Sequence, residues 1–126
     1  MTPRPRMTFT AVVLDAPDAA ELAAFYRRLL GWEVAQEEPG WVKLVPEGGG
    51  TGLSVQSEPD YVPPVWPADP REQQMMLHLD IEVDDLDGAS AHAVAAGARL
   101  AGHQPQDDVR VHLDPAGHPF CLWVRT

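Results

Sequence analysis

The side chains best suited to chemistry in this chain lie near residue 80 and near the C-terminus. His78 and Asp80 are two positions apart, and Cys121 is the single cysteine of the sequence. An imidazole titrates near neutral pH and often binds metals, while a thiolate is a nucleophile or a soft metal ligand. His78 is therefore a candidate catalytic base or metal ligand, and Cys121 a candidate metal ligand. The ordinary alternatives are a hydrogen-bonded strand histidine and a small buried thiol.

A second set of side chains is suited to binding an organic molecule. Aromatic rings bind flat or cationic groups by stacking and cation–π contact, and a guanidinium group binds carboxylates. The alternatives are that the rings attach a loop to the core and that the charged groups form ion pairs. The candidate ligand-binding residues are Trp41, Gln56, Tyr61, Trp66, Asp80, Arg110, His112, Cys121 and Trp123.

An internal repeat indicates how the fold positions these candidates. Each half of the chain contains an apolar run, an aspartate, a helix-like stretch and a glycine that ends it. Asp18 and Gly31 mark this order in the first half, and Asp85 and Gly97 mark it in the second. Two similar halves paired face to face would bring their equivalent strand positions around one cavity. Counted from these landmarks, the equivalent positions are Ala11, Gln56, His78 and Cys121.

The first half predicts the order strand, helix, strand, strand, strand. Asp18 and Glu21 have the spacing of a capping box, apolar residues follow at helical spacing, and Gly31 suits a left-handed cap. Apolar runs separated by turn residues are typical of strands. The predicted elements are a strand at Thr8–Leu14, a helix that ends at Leu30, and strands at Trp32–Gln36, Trp41–Val45 and Gly52–Gln56.

The second half repeats this order after a segment, residues 57–73, that is rich in proline and aromatic residues. The elements predicted after it are a strand at Gln74–Val83, a helix at Leu86–Ala96, and strands at Ala98–Leu100, Val109–Leu113 and Phe120–Val124. The sequence therefore predicts one α+β domain over 1–126, with module one at 8–56, a connecting loop at 57–73 and module two at 74–126. Two tandem βαβββ modules are expected to form a curved mixed sheet around a cavity.

Strand alternation predicts which side chains line that cavity. In the strand near residue 80, His78 and Asp80 fall on one face, and Leu79 and Ile81 fall on the other. The apolar face should pack on the helices, so the polar face is expected to line the cavity. The same reasoning places in the cavity the polar faces of the other strands, which carry Ser54, Gln56, Arg110, His112, Cys121 and Trp123.

Composition limits the classes of partner. The formal net charge of −10 argues against nucleic acid, which requires a basic surface, and would attract a cationic small molecule, although acidity also serves solubility alone. No apolar run reaches the ~18 residues of a membrane span. One cysteine cannot form an internal disulfide. We therefore expect a cytoplasmic protein with a small-molecule ligand and with no nucleic-acid or membrane partner.

Several motifs resemble those of the vicinal oxygen chelate superfamily, which includes glyoxalase I, extradiol dioxygenases and bleomycin-resistance proteins. The motifs are Phe25-Tyr26 followed by Leu30-Gly31-Trp32, His78 at the start of a strand, the run Val83–Leu86, and the closing run Asp114–Phe120. The resemblance covers nearly the whole chain. It is greatest to bacterial glyoxalase-like proteins, which have a similar run of Tyr61, Pro63-Pro64, Trp66-Pro67 and Cys121-Leu122.

The resemblance implies that a metal site, where present, takes its ligands at Ala11, Gln56, His78 and Cys121. Ala11 has no donor atom, and Gln56 and Cys121 stand where the enzymes have glutamates. The remaining set of His78, Gln56 and Cys121 is incomplete for a catalytic metal, which takes about three good protein ligands. Imidazole and thiolate together would favour zinc.

Two functions remain open from the sequence. The first is a homodimeric protein that binds a small organic molecule in the sheet cavity without the full metal site and without a resident cofactor. The alternative is an enzyme with His78 as a catalytic residue: either a metal-dependent lyase, isomerase or dioxygenase of the same superfamily, using a divalent metal, or a metal-free catalyst. Whether the protein is an enzyme is therefore left open at this stage.

Overall fold

Two four-stranded sheets, each accompanied by one helix, make up the structure. The computed structural model describes residues 3–125. Module one contains β1 (Ala11–Ala16), α1 (Ala19–Leu30), β2 (Glu33–Glu38), β3 (Trp41–Val45) and β4 (Gly52–Ser57). Module two contains β5 (Leu79–Glu82), α2 (Leu86–Ala96), β6 (Arg99–Leu100), β7 (Val109–Leu113) and β8 (Pro119–Trp123). The predicted α+β class and the tandem βαβββ order are confirmed.

The two sheets have the same topology. Their strand orders are β1-β4-β3-β2 and β5-β8-β7-β6. In each module the first strand pairs in parallel with the last, and the other pairs are antiparallel. The first strand is therefore an edge strand in both sheets, and the last strand lies beside it in the interior.

Both first strands begin later than the sequence predicts. β1 begins at Ala11 instead of Thr8, and β5 begins at Leu79 instead of Gln74. A strand extends only as far as its partner: Ala11 pairs with Gly52 at the start of β4, and Leu79 pairs with Phe120 near the start of β8. The residues before them pair only at isolated points: Gln74 forms a single bridge with Val65, and the Thr10 carbonyl accepts a hydrogen bond from Gly52.

Helix α1 begins and ends at the predicted signals. The Asp18 carboxylate accepts a hydrogen bond from the Ala20 amide at 3.0 Å, and Gly31 ends the helix with φ of 72°. An L-residue with a Cβ rarely adopts that conformation. Between the two caps, α1 buries Leu22, Phe25 and Tyr26, and each such side chain contributes about 1.5–3 kcal/mol on transfer from water.

The two modules share one core, which α1 and α2 help to build. Phe25 and Tyr26 of α1 pack against Phe120 of β8, with ring centroids 6.0 and 6.4 Å from it. The Arg28 guanidinium donates two hydrogen bonds to the carbonyl of Ala96, at 2.8 and 3.0 Å, and so joins the ends of the two helices. The apolar faces of both sheets thus pack with the helices in one continuous core.

The loop between the modules is attached to the body of the protein at Tyr61. Its hydroxyl donates a hydrogen bond to the carbonyl of Ala116 at 2.8 Å. Ala116 lies in the turn between β7 and β8, which is held by the fully buried carboxylate of Asp114. That carboxylate accepts hydrogen bonds from the Tyr26 hydroxyl at 2.6 Å and from His118 Nδ1 at 2.8 Å. The loop is therefore positioned by module two, and this determines where its other aromatic residue, Trp66, lies.

Candidate functional site

A cavity of about 420 Å³ lies on the face of the module-two sheet that does not pack on the helices. Strands β5, β7 and β8 provide its base, the connecting loop provides one side, and the segment before β7 provides another. Its lining residues are Trp66, His78, Asp80, Pro105, Gln106, Asp108, Val109, Val111, Cys121 and Trp123. We call this space the module-two cavity.

The floor of the module-two cavity is apolar. Val111 and Cys121 are directly paired in the β7–β8 ladder, and they are 1% and 4% exposed. Burial, and then the nearby Asp80 carboxylate, raise the pKa of the Cys121 thiol to about 11. The thiol is therefore neutral at pH 7, and Cys121 behaves there as a small hydrophobic residue and not as a nucleophile.

One wall of the cavity is formed by stacked rings. The indole of Trp66 lies over the imidazole of His78, with centroids 5.4 Å apart and an angle of 15° between the planes. His103 contacts the same indole edge-on at 5.1 Å. His78 Nε2 lies 3.1 Å from Asp80 Oδ1, so the carboxylate fixes the orientation of the ring.

The opposite wall carries Trp123. It is paired with Val109 in the β7–β8 ladder, and its ring lies under the guanidinium of Arg125 at 5.9 Å. Arg125 also forms a bidentate ion pair with Glu82, with nitrogen–oxygen distances of 3.0 and 3.2 Å. The cavity therefore has an indole on two sides and an apolar floor between them, an arrangement suited to an aromatic guest.

Three possible metal donors converge at the edge of the cavity. The ligand atoms of His78, Asp80 and Cys121 all lie within 4.8 Å of one another. Two ligands held about 2.0–2.1 Å from one tetrahedral zinc ion lie roughly 3.3 Å apart, and the His78–Asp80 distance of 3.1 Å is close to that value. This cluster takes all its donors from module two. Asp80 was predicted to bind a ligand but not to join a metal site.

The structure does not bring Gln56 to the module-two cavity, so its predicted grouping with His78 and Cys121 is wrong. Gln56 donates a hydrogen bond from Nε2 to Asp15 at 2.7 Å and is not among the lining residues. Trp41 pairs with Gln56 in the β3–β4 ladder and donates its indole N–H to Gln36 at 2.9 Å. The reason is that Gln56 lies on the module-one sheet, whereas the cavity is lined by the module-two sheet, the connecting loop and the segment before β7.

Arg110 and His112 lie on the helix side of β7, so the prediction that they face the cavity is wrong. His112 is fully buried, bonds the Ser90 hydroxyl at 2.8 Å and stacks on Phe120 at 5.4 Å. Burial lowers the pKa of this imidazole, which packs as a neutral ring. The Arg110 guanidinium donates a hydrogen bond to the carbonyl of Asp107 at 2.9 Å. The valines of this strand face the cavity, and His112 faces α2 on the other side.

Tyr61 lies at a different cavity, of about 390 Å³, between β1 and the connecting loop. Burial, followed by the charges of Asp114 and Asp15, raises the pKa of its phenol well above the usual value. The ring has a structural role, because its hydroxyl anchors the loop as described above. Of the predicted ligand-binding residues, the structure brings four together in the module-two cavity, namely Trp66, Asp80, Cys121 and Trp123, beside His78.

Sequence analysis missed several lining residues of the module-two cavity. Pro105, Gln106 and Asp108 come from the segment between β6 and β7, which carries no strand or helix pattern. Val109 and Val111 were assigned to the apolar, helix-facing side. The signal that could have found Asp108 is its position directly before the first residue of β7, an interior strand of the sheet.

Comparison with known proteins identifies the fold. Residues 11–123 match the family model of the glyoxalase-like domain. No curated protein matches the chain. Among solved structures, a glyoxalase/bleomycin resistance protein/dioxygenase family enzyme from Burkholderia phytofirmans PsJN is 17% identical, with a TM-score of 0.71 over 94% of this chain and 98% of that one.

Two further structures have similar folds. TnmS3, an antibiotic binding protein from Streptomyces sp. CB03234, is 20% identical, with a TM-score of 0.66 over 98% of this chain and all of that one. A glyoxalase-related enzyme from Fulvimarina pelagi is 18% identical, with a TM-score of 0.67 over 92% and 86% of the two chains. At these identities the likeness concerns the fold. Among the described residues, no helix has both the length and the apolar character needed to span a bilayer.

Proposed function

Because the chain belongs to the glyoxalase-like domain family, within the vicinal oxygen chelate superfamily, we propose that it binds a small organic molecule in the module-two cavity. The observation that carries the proposal is the pairing of two indoles, those of Trp66 and Trp123, around an apolar floor in a space of about 420 Å³. This volume lies within the range of small-molecule sites, about 300–1,000 Å³. The two indoles make aromatic compounds suitable first probes, and the similarity of fold to an antibiotic binding protein adds antibiotics to that set.

The protonation state of the floor supports binding over covalent chemistry. With its pKa raised to about 11, the Cys121 thiol offers no thiolate at neutral pH to attack a ligand. His78 is held by Asp80 and covered by Trp66, so its ring contributes a flat, oriented surface. A free, buried thiol is also consistent with a cytoplasmic location, where cysteines remain reduced.

The test is the affinity of aromatic ligands for two tryptophan variants. Trp66→Leu should weaken binding by at least about tenfold, since an aromatic contact and its buried area together contribute about 1.4 kcal/mol or more. Trp41→Leu is the matched control, because this indole lies on module one outside the cavity. If both variants bind as tightly as the wild type, the cavity is not the binding site.

The second part of the proposal is that the protein forms a homodimer through its two edge strands. β1 and β5 are sheet edges, and several large apolar side chains on or just before them are exposed. These are Phe9 at 70%, Val13 at 43%, Met76 at 83% and Leu77 at 53% exposure. In a twofold dimer, β1 of each subunit lies beside β5 of the other. The two equivalent contacts cover the edge strands of both subunits. A second copy in this position covers the exposed apolar side chains of both segments.

Light scattering during gel filtration tests the dimer. Met76→Glu together with Leu77→Glu should convert the dimer to a monomer, because both charges would be buried at the interface. Val94→Glu is the control, since this residue is 50% exposed on α2, away from the edge strands. A wild-type monomer at micromolar concentration would refute this part of the proposal.

A second candidate function is metal-dependent chemistry, as in lyases, isomerases and dioxygenases of the superfamily. The convergence of His78, Asp80 and Cys121 favours it, because three protein ligands with an open position are typical of catalytic zinc. A bound divalent ion would supply Lewis acidity towards ligand oxygens. Binding requires the Cys121 thiol to lose its proton, so affinity for the ion should rise with pH.

Metal analysis decides between the two functions. The purified protein is dialysed against zinc, nickel, manganese or iron(II), and the bound ion is counted for the wild type, His78→Ala and His92→Ala. A near-stoichiometric ion that is lost only in His78→Ala would favour the metal-dependent function. An absence of retained metal would support ligand binding without it.

A further inference from the structure

The charged groups around the module-two cavity are unevenly distributed. Asp80 and Asp108 are both lining residues of the cavity, whereas none of its described lining residues is a lysine or an arginine. The floor between them is formed by the buried, directly paired side chains of Val111 and Cys121. The rim of the cavity is therefore acidic, and its interior is apolar.

The two carboxylates lie on opposite sides of the floor. Asp80 is on β5, which pairs with one side of β8, and Asp108 directly precedes β7, which pairs with the other side. Asp80 Oδ1 is occupied by His78. For the Asp108 carboxylate, the part of the chain that the structure describes provides no hydrogen-bond donor and no ion-pair partner. A bound molecule would thus pass between two acceptor groups, one of which is free.

The nearest guanidinium does not offset this charge. Arg125 lies 5.9 Å above the ring of Trp123, outside the cavity lining, and is already paired with Glu82 at 3.0 Å. The charge of the whole chain acts in the same direction, since its formal net value is −10. Long-range attraction therefore favours cations both on approach and at the rim.

On the basis of the proposed function, we infer that the ligand is a planar aromatic molecule that carries an ammonium or similar cationic group. Its ring system lies on the apolar floor between Trp66 and Trp123. Its cationic group lies at the rim, within reach of Asp80 and Asp108. Stacking supplies most of the affinity, and the carboxylates select the charge.

Three indoles with the same ring and different charges test this inference. They are tryptamine, which is a cation at pH 7, tryptophol, which is neutral, and indole-3-acetate, which is an anion. In calorimetric titrations, tryptamine should bind roughly fivefold more tightly than tryptophol, the effect of one partly exposed ion pair, and indole-3-acetate should bind most weakly. The preference should decrease when salt is raised from 0.02 M to 0.5 M.

Two charge-matched variants assign the preference to the cavity. Asp108→Asn should remove most of the difference between tryptamine and tryptophol. Asp84→Asn, which removes the same charge from a separate surface depression beyond the end of β5, should leave the difference unchanged. An equal loss in both variants would mean that net charge and not the rim is responsible, and would overturn the inference.

The remaining outcomes distinguish this inference from the proposed function. Equal affinity for all three indoles, or the tightest binding for indole-3-acetate, would overturn the charge preference while leaving aromatic binding intact. If none of the three binds but other aromatic compounds bind in a Trp66-dependent way, the inference fails and the proposed function stands. If no aromatic compound binds at all, both fail.

Discussion

Trp66 of the connecting loop stacks on His78 of module two, with ring centroids 5.4 Å apart and an angle of 15° between the planes. Through this contact the loop residue Trp66 covers His78, a position at which the superfamily resemblance implies a metal ligand. The indole covers one face of the imidazole, and Asp80 occupies its Nε2. His78 therefore forms part of an aromatic wall, and the loop forms part of the module-two cavity.

The first prediction concerns the buried carboxylate that holds the loop-anchoring turn. Tyr26→Phe removes the 2.6 Å hydrogen bond to Asp114 and leaves part of a fully buried charge unsatisfied. The free energy of unfolding, measured by urea denaturation, should fall by about 1.5–3 kcal/mol, the range for hydrogen bonds to charged groups.

Tyr61→Phe is the comparison for Tyr26→Phe. It removes a hydrogen bond to a neutral carbonyl at a half-buried site, so it should cost only about 0.5–1.5 kcal/mol. Equal losses in the two variants, or a loss below about 0.5 kcal/mol in Tyr26→Phe, would show that the Asp114 network does not hold the modules together.

The second prediction concerns the reactivity of Cys121. With its pKa raised from the usual 9.0 to about 11, the thiol should react slowly with iodoacetamide at pH 7.5, and the rate should rise until about pH 11. Asp80→Asn removes one of the two causes of the raised pKa and should speed the reaction at pH 7.5. Asp84→Asn should have no effect, and fast alkylation of the wild type at neutral pH would contradict the buried floor.

The same thiol gives a prediction about stability at high pH. Its folded-state pKa is above the unfolded value, so the folded state holds its proton more tightly. The resulting contribution to the free energy of unfolding is fully present below about pH 9 and is lost as the pH rises towards 11. The free energy of unfolding of Cys121→Ala should therefore fall less than that of the wild type between pH 8.5 and 10.5. Parallel pH profiles would refute the raised pKa.

The third prediction concerns His112. Burial lowers its pKa in the folded state below the usual 6.5, so the unfolded chain binds the proton more readily. The contribution of this site to the free energy of unfolding is fully present above about pH 6.5 and is lost as the pH falls below that value. Wild-type protein should lose more stability between pH 7.5 and 5.5 than His112→Gln does. His92→Gln, an exposed site on α2, should follow the wild type.

Local sequence signals predicted the elements well. The caps of α1, Asp18 and Gly31, are found where the spacing placed them, because capping depends on neighbours within a few residues. The tandem repeat likewise predicted the order of the strands. Strand ends were predicted less well, since the start of β5 depends on where β8 begins, some forty residues later.

The candidate site was predicted only in part, for a reason that also lies in distant packing. Alternation assigns His78 and Cys121 correctly to the outer face, because their strands bury one apolar face. It fails for His112, because this polar side chain is buried on the helix side of β7, where its imidazole bonds the Ser90 hydroxyl of α2. It fails for Gln56, because no local pattern states whether two modules meet through their polar or their apolar faces.

The most direct test of ligand binding is the indole N–H region of a nitrogen–proton correlation spectrum. The chain has four tryptophans, each giving one such signal, and single Trp→Phe variants assign them. Titration with an aromatic ligand should shift the signals of Trp66 and Trp123 and leave those of Trp32 and Trp41 in place. Saturating shifts confined to Trp32 or Trp41, with Trp66 and Trp123 unmoved, would contradict a ligand site in the module-two cavity.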